Sequence, residues 1–183
     1  MKQISILLLM IASSALLSLN AQSVYNQKPN DQNALYFTPE AFKIKANGKN
    51  DVSEALQLAI NTLKKEKNFG ILFIPEGKYL ISKTIYIPKA IRLIGYGKNR
   101  PEFILGKNTP GFREEQSYLF WFTSNLVEDG EEPKDATAGT FYSAISNIDF
   151  RIDKGNPKAV ALRTHFAQHS FVSHCNFYIG DGY

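Results

Sequence analysis

The sequence predicts an all-β solenoid of stacked coils with one α-helix at its N-terminal end, and three observations favour this fold. Short apolar segments separated by glycine- and proline-containing turns follow one another from residue 71 onward, with no Asn-Gly hairpin dipeptide between them. One amphipathic helix precedes these segments. Residues 143–152 align with residues 170–179, and this offset of 27 residues (170 minus 143) suits the coils of a solenoid.

The predicted helix carries its apolar residues on one face. These residues are Val52, Ala55, Leu56, Ala59, Ile60 and Leu63. Asp51 is placed to act as the N-cap, and Glu54 three residues later completes a capping box. The Asn-Phe-Gly segment 68–70 ends the helix. Because a solenoid exposes the apolar interior of its first coil, we expect the helix to cover that end.

The apolar segments after the helix define the predicted strands. They are 71–74, 78–81, 84–87, 90–94, 102–105, 118–123 and 159–162, together with strands inside the two aligned segments. Residues 125–139 are acidic and rich in turn-forming residues, which predicts a protruding loop. A β-sandwich is the alternative fold, but it would show tighter hairpin turns and more regular alternation of apolar and polar residues.

The first residues have the pattern of a signal peptide. Met1-Lys2 is a short positive segment, residues 4–17 are apolar, and Ala21 is a small residue at a cleavage point. The apolar run is short for a bilayer span, so we expect export to the periplasm or the extracellular space without a stable membrane anchor. The predicted organisation is a signal peptide at 1–21, an extended arm at 22–41 and the N-terminal portion of a solenoid domain at 42–183.

Composition excludes several other classes of protein. The chain has 183 residues, of which 44% are hydrophobic, enough to bury one good core. Its net charge of +4 comes from scattered basic residues, so no nucleic-acid partner is expected. Cys175 is the only cysteine, which rules out a disulfide within this chain and predicts a small buried hydrophobe.

Three segments, in order, resemble the start of the pectate-lyase superfamily. Residues 47–57 are similar to its opening turn and helix, residues 70–81 to its strand, Pro-x-Gly turn and strand, and residues 91–97 to its Gly-x-Gly close. The resemblance covers roughly Phe42 to Tyr183. It implies a right-handed parallel β-helix with an N-terminal capping helix, incomplete at the C-terminus.

The later segments 147–150, 155–162 and 167–170 are similar to family-55 glycoside hydrolases. That resemblance implies a secreted, inverting, exo-β-1,3-glucanase-like enzyme with a polysaccharide substrate. In this family a glutamine helps to hold the hydrolytic water, and the matching residue is Gln168. His165 and His169 beside it are weaker candidates for substrate binding. The acid catalyst of such an enzyme would lie beyond Tyr183.

Two other functions remain open on the sequence. A pectin- or uronate-active lyase or polygalacturonase-type hydrolase could share this start, and a non-catalytic polysaccharide-binding or tailspike-like β-helix could share it as well. No cofactor is expected, except that the lyase alternative would use Ca²⁺ held by clustered acids. No metal ligands are assigned, because the spacing of His165, His169 and His174 would suit a helix while this segment is predicted to form strand and turn.

Other acidic and aromatic residues are expected to have structural roles. Asp149 and Asp153 would lie about 13 Å apart on one strand, too far for a pair of hydrolase carboxylates, and are expected to be solvated. Asp181 is expected to be a turn residue. In the aromatic run 118–123, alternation would put Trp121 on the face opposite Tyr118 and the two phenylalanines.

Overall fold

A computed structural model describes residues 22–183, which form two helices and thirteen short strands. The helices are α1 (Pro39–Phe42) and α2 (Ser53–Lys67). The strands are β1 (Leu35–Tyr36), β2 (Asn47–Asp51), β3 (Gly70–Pro75), β4 (Lys78–Ile81), β5 (Ile85–Pro88), β6 (Ile91–Tyr96), β7 (Glu102–Leu105), β8 (Ser117–Thr123), β9 (Ala144–Ser146), β10 (Asp149–Ile152), β11 (Ala159–Arg163), β12 (Phe171–Ser173) and β13 (Phe177–Ile179).

The strands form three sheets that wrap around one core. The first sheet has the order β1-β3-β6-β9-β12, the second β2-β4-β7-β10-β13 and the third β5-β8-β11. Every pairing between these strands is parallel, and the three complete coils each supply one strand to each sheet in turn. Parallel strands joined by crossovers are right-handed for steric reasons. The right-handed parallel β-helix predicted from the sequence is therefore confirmed.

The internal repeat corresponds to one coil. Ala144 is the register partner of Phe171, and Phe150 is the partner of Phe177, so both pairs are separated by 27 residues. The coil before it is longer, because it contains the loop that follows β8. That loop, residues 125–139, makes only one isolated bridge, between Thr123 and Asp135, which agrees with the predicted protruding loop.

A column of aromatic rings runs through the core beneath the second sheet. The ring centroids of Tyr79 and Phe103 are 5.3 Å apart, and those of Phe103 and Phe150 are 6.3 Å apart. Phe177 continues the column at 5.2 Å from Phe150, and Phe37 begins it at 5.8 Å from Tyr79. Each such contact adds about 0.5–1.5 kcal/mol beyond the burial of apolar area. The column therefore holds neighbouring coils in register.

Helix α2 covers the first end of the solenoid, as predicted. Leu56, Ala59, Ile60 and Leu63 on its inner face are buried in the core. Gln57 joins the helix to the open edge of the third sheet, because its side-chain amide donates to the Tyr86 carbonyl at 3.0 Å and accepts the Tyr86 N–H at 2.8 Å. The helix thus occupies the position of a third-sheet strand in the first coil.

The predicted start of this helix was wrong by one residue. Asp51 ends β2, and the N-cap is Val52, with Ser53 the first helical residue. Asp51 still accepts the Ser53 N–H at 2.8 Å, but from within the strand. Glu54 forms an ion pair with Lys83 instead of completing a capping box. The local sequence suits a cap, but pairing of β2 with β4 extends the strand to Asp51.

A buried asparagine fastens the N-terminal arm to the coils. Asn147 is fully buried between β9 and β10, with a positive φ of 59°. Its amide donates to the Gly95 carbonyl at 2.7 Å and to Ser23 Oγ at 2.8 Å, and it accepts the Val24 N–H at 3.0 Å. Asparagine suits this position because it adopts positive φ more readily than most residues and carries both donors and an acceptor.

The predicted signal peptide at 1–21 lies outside the described residues. Within residues 22–183, neither helix is long and apolar enough to cross a membrane.

We predict that Asn147→Gly will lower the free energy of unfolding by about 2–4 kcal/mol, because it leaves buried polar partners unsatisfied. Glycine tolerates the positive φ, so the loss reports the hydrogen bonds rather than backbone strain. Urea denaturation of the whole chain measures the effect. Asn125→Gly, at an exposed position, is the matched control, and equal losses in the two variants would contradict the assigned role of Asn147.

Candidate functional site

A charged groove of about 330 Å³ lies on the outer face of the second sheet. The parallel register places Lys78, Glu102 and Asp149 in one row across β4, β7 and β10. The groove is lined chiefly by Glu76, Lys78, Arg100, Glu102, Asp149 and Arg151. Acidic and basic side chains on neighbouring strands are thus brought together at one surface.

Two carboxylates in this row are direct neighbours. Glu102 and Asp149 are register partners on adjacent strands, whose backbones are about 4.8 Å apart. Glu102 accepts hydrogen bonds from Arg151 Nε at 2.8 Å and forms an ion pair with its Nη2 at 2.6 Å. Asp149 accepts the Asn176 N–H at 2.9 Å. Each acid therefore has its own hydrogen-bond partner.

The two acids differ in their electrostatic surroundings. Burial raises the pKa of Asp149, and the nearby charge of Glu102 raises it further, against opposing contributions from the Asn176 N–H and from Arg100. The hydrogen bond to Glu102 raises the pKa of Arg151, which keeps this guanidinium charged. Asp149 is thus the acid whose surroundings raise its pKa, while Glu102 is paired with the Arg151 guanidinium.

Arg100 is the most buried charged side chain of the groove, with only 3% of the side chain exposed. Its Nη1 donates to the His174 carbonyl at 2.7 Å, and its Nη2 lies 2.9 Å from Asp149 Oδ1. Its Nε has no hydrogen-bond partner among residues 22–183. Because a buried donor without a partner is costly, the contacts of Arg100 with Asp149 and with the His174 carbonyl must offset this cost.

Tyr178 and Glu76 complete the walls of the groove. The guanidinium of Arg151 lies 4.9 Å from the centre of the Tyr178 ring, so the aromatic side chain is held in place. The Asn99 side chain hydrogen-bonds Glu76 and lowers the pKa of this carboxyl. Polar groups and one aromatic ring along an open groove are suited to contact with sugar hydroxyls and ring faces.

The sequence analysis missed this groove. It expected Asp149 to be solvated together with Asp153, and this was wrong, because only 16% of the Asp149 side chain is exposed and Arg100 pairs with it. Glu102 and Arg100 lie almost fifty residues before Asp149 in sequence, so no local spacing connects them. An alignment of three segments as neighbouring strands of one sheet would have revealed the row. These segments are residues 78–81, 102–105 and 149–152.

The candidates that the sequence suggested lie elsewhere, in the segment between β11 and β12. Gln168 is exposed, its carbonyl accepts the Tyr142 N–H at 3.4 Å, and its amide makes no hydrogen bond within the described part of the chain. His165 Nδ1 lies 2.6 Å from Asp135, whereas the His169 ring stacks on Tyr142 at 5.0 Å. The two histidines therefore have different neighbours. Roles for these three residues remain predictions.

A second polar cluster surrounds Asp135 on the outer face of the third sheet. Asp135 accepts hydrogen bonds from Trp121 Nε1 at 2.8 Å and Arg163 Nη2 at 2.7 Å. The Arg163 guanidinium also packs against the Tyr118 and Trp121 rings at 4.9 and 4.8 Å. Together with His165, these contacts fix the C-terminal part of the loop 125–139 to the sheet.

This cluster corrects the expectation for the aromatic run. Trp121 and Tyr118 were expected on opposite faces, but their rings touch at 5.3 Å. Strict alternation fails because Leu119 and Phe120 are both fully buried.

The turn prediction for Asp181 agrees with the structure, since its carboxylate accepts the backbone N–H groups of Gly155 and Asn156 at 2.7 and 3.0 Å. Cys175 packs against the core as expected, although it is only partly buried.

Comparison with known families gives a match over residues 40–183 to the family described as rhamnogalacturonase A/epimerase, pectate lyase-like. The chain belongs to this family. The match spans most of the chain and includes every strand that lines the groove. The finer resemblance to family-55 glycoside hydrolases finds no support in the comparisons and stays a prediction. A comparison with curated protein sequences gave no match.

Solved structures similar to this pectate lyase-like chain are also β-helical proteins. An iota-carrageenase complexed to iota-carrageenan fragments aligns with a TM-score of 0.52 and 18% identity, over 86% of this chain and 31% of its own. PfbA, a surface adhesin of Streptococcus pneumoniae, aligns with a TM-score of 0.48 and 16% identity, over 79% of this chain and 38% of its own. ORF18 of Geobacillus virus E2 aligns with a TM-score of 0.45 and 20% identity, over 75% of this chain and 27% of its own. The chain thus spans about a third of the length of these structures.

No group of three or more His, Cys, Asp or Glu side chains able to hold a metal ion occurs in the described range 22–183. The Ca²⁺ site required by the lyase alternative is therefore not assigned to any residues of this range.

We predict that Asp135 makes stability depend on pH in the acidic range. The hydrogen bond from Arg163 is the main cause that holds the pKa of Asp135 below its usual value. A carboxyl with a lowered folded-state pKa contributes stability that is present above about pH 4 and is lost as the pH falls towards the folded-state pKa.

The free energy of unfolding of the native chain and of Asp135→Asn should therefore differ most near pH 6 and converge towards pH 2.5. Urea denaturation across this range measures the difference. Asp129→Asn, in the exposed part of the same loop, is the control and should follow the native chain. A constant difference between native chain and Asp135→Asn at every pH would contradict the assignment.

Proposed function

We propose that this chain contributes to a polysaccharide-degrading glycoside hydrolase whose substrate lies along the groove of the second sheet. The observation that carries the proposal is the pair formed by Glu102 and Asp149, two acids side by side on adjacent strands in different environments. Glycoside hydrolysis uses two such carboxyl groups, one protonated and one ionised. Membership of a pectate lyase-like family supports a carbohydrate substrate.

In the proposed mechanism, Asp149 is the general acid. Burial and the charge of Glu102 raise its pKa, which is the direction of shift that a proton donor to the oxygen of the leaving sugar needs. Glu102 is the ionised partner, oriented by Arg151, and acts on the anomeric carbon. In a retaining mechanism the second carboxylate attacks the anomeric carbon as the glycosidic bond breaks, and a water molecule then hydrolyses the glycosyl-enzyme bond. The placement of Glu102 and Asp149 on adjacent strands favours this mechanism. An inverting enzyme would need about 6.5–9.5 Å between its carboxyls to admit a water molecule.

Arg100 has a separate role in this proposal. Its guanidinium lines the groove beside Asp149 and would limit the negative charge around this acid. Lys78 lies in the same row as the two acids and extends the polar wall. These groups would orient the chain of sugars, while Glu102 and Asp149 carry out bond cleavage.

Two classes of polysaccharide are candidates for the substrate. The family match favours a pectin backbone, since the family is described as rhamnogalacturonase A/epimerase. The sequence resemblance around Gln168 favours a β-1,3-glucan cleaved from its end with inversion, a reaction that would need carboxyl groups other than the pair Glu102 and Asp149. Export to the periplasm or the extracellular space, as the sequence predicts, would suit either substrate. If activity measurements detect no product, the protein is a non-catalytic polysaccharide-binding β-helix instead.

We predict that Glu102→Gln and Asp149→Asn in the full-length protein will each lower the rate of polysaccharide cleavage by about 100-fold or more. Both changes keep the shape and a hydrogen-bond acceptor but remove the charge that pairs with Arg151 or Arg100, so the melting temperature should fall, and rates are compared at a temperature at which every variant is folded. Products from laminarin, polygalacturonate and rhamnogalacturonan are separated by chromatography, and the anomer released is identified by NMR. Glu66→Gln, at an exposed site, is the control and should keep full activity.

Loss of activity in both variants, together with retention of the anomeric configuration by the native protein, would support Glu102 and Asp149 as the catalytic pair. Undiminished activity in both variants would refute it. Binding without any product from the native protein would support the non-catalytic alternative instead.

Substitution of Gln168 tests the family-55 hypothesis separately. Because its amide makes no hydrogen bond within residues 22–183, Gln168→Ala should leave the melting temperature nearly unchanged. If Gln168 orients the hydrolytic water, the same variant should cut the rate on laminarin strongly. Full activity on laminarin would show that Gln168 has no such role. His165→Ala and His169→Ala, assayed for KM, test the two weaker candidates.

A further inference from the structure

A second cleft, of about 620 Å³, lies on a different side of the molecule, where helix α2 ends against the first sheet. The residues that matter for its chemistry are Asp31, Lys67, Phe69, Ala90, Arg92 and Tyr142. None of them lines the groove of the second sheet. We propose that this cleft binds an acidic saccharide, as a binding site separate from Glu102 and Asp149.

Two exposed aromatic side chains favour a sugar as the ligand. Phe69 is 67% exposed and follows Asn68, the left-handed residue that ends α2, while Tyr142 is 50% exposed. Large apolar side chains exposed together at a cleft mark a binding surface more often than an ordinary surface. Aromatic rings also offer a flat apolar face to the C–H groups of a sugar ring while tolerating its hydroxyls nearby.

The Tyr142 wall is already held in place without a ligand. His169 stacks on its ring at 5.0 Å with an angle of 8° between the planes, and Arg92 lies 5.9 Å from the ring centre. Arg92 Nε also donates to the Tyr142 carbonyl at 3.2 Å. The Tyr142 side chain is thus fixed in one position, while the Phe69 ring is the more exposed of the two. A site formed in advance loses less conformational freedom on binding.

Positive charge favours an acidic ligand over a neutral one. Lys67 and Arg92 line the cleft, opposed by the single acid Asp31. A shallower depression shares Phe69, Ala90 and Tyr142 with the cleft and adds two cations, Lys64 and Lys89. Within residues 22–183, neither Lys67 nor Arg92 forms an ion pair with an acidic side chain. These charges are therefore available to a carboxylate or sulfate group.

Lys64 stabilises this end of the helix. Its Nζ donates to the carbonyls of Asn68 and Lys89 at 2.8 and 3.0 Å, so it ties the helix end to the turn that follows β5. This contact also offsets the negative end of the helix dipole, which would otherwise repel an anion. The position of Phe69 in the cleft depends on this anchored helix end.

A direct test follows backbone amide signals of the full-length protein by NMR during titration with defined oligosaccharides. The three probes are an oligogalacturonate, which carries carboxylates, an iota-carrageenan oligosaccharide, which carries sulfates, and a neutral laminari-oligosaccharide. We expect at least one acidic probe to shift the amides of Phe69, Ala90 and Tyr142, with weaker binding at higher salt. The two acidic probes distinguish a carboxylate from a sulfate ligand.

Variants assign the binding to this cleft. Phe69→Ala and Lys67→Gln should each weaken the binding of the acidic probe by about tenfold, because they remove the ring face and a charge. Tyr25→Ala and Lys49→Gln, at exposed positions outside the cleft, are matched controls and should bind like the native protein.

The proposal is overturned if no probe shifts these amides, if the neutral probe binds as tightly as the acidic ones, or if the controls weaken binding as much as the cleft variants. Glu102→Gln should bind the acidic probe at this cleft like the native protein. A failure of the proposed catalytic pair would therefore not affect the result.

Discussion

The parallel register between successive coils is the constraint on which the rest of this structure depends. Inside the solenoid, it aligns Tyr79, Phe103, Phe150 and Phe177 in one aromatic column. Because side chains alternate between the two faces of a strand, the same register fixes which residues meet on the outer face. A slip of one residue would place the rings in solvent and the charged row in the core. The groove is therefore a consequence of how the core packs.

The charged row has a cost that the coils on either side must offset. Placing Glu102 beside Asp149 brings two acids together at a partly buried surface, which is unfavourable when both are ionised. Arg151 balances one acid and Arg100 lies against the other, so the cost is reduced by groups on the same or adjacent turns of the solenoid. An arrangement that only stabilised the fold would gain little from such a pair, since apolar residues pack there at lower cost. The charged row is therefore better explained by a role in binding or chemistry than by a role in stability.

The solenoid presents different chemistry on its different sides. The second sheet carries paired acids and guanidinium groups, the first sheet and the end of α2 carry exposed aromatic rings with unpaired cations, and the third sheet carries the cluster around Asp135. Each strand contributes inward residues to the common core and outward residues to its own surface. Surfaces can therefore differ independently while the column of core residues is kept. This separation explains why a shared β-helix supports several activities on polysaccharides.

The sequence alone determined the elements that depend on local patterns. Apolar periodicity identified helix α2 and most strands, and the offset of 27 residues identified one complete coil, because neighbours along the chain decide these features. Only the tertiary structure decided that β2 extends to Asp51 and that Glu102, Arg100 and Asp149 meet. Asp149 lies almost fifty positions from Glu102 and Arg100, and β2 pairs with a strand of the next coil, so these partners are set by the register of the coils rather than by sequence spacing. The fold was therefore readable from the sequence, whereas the groove required the stacked coils.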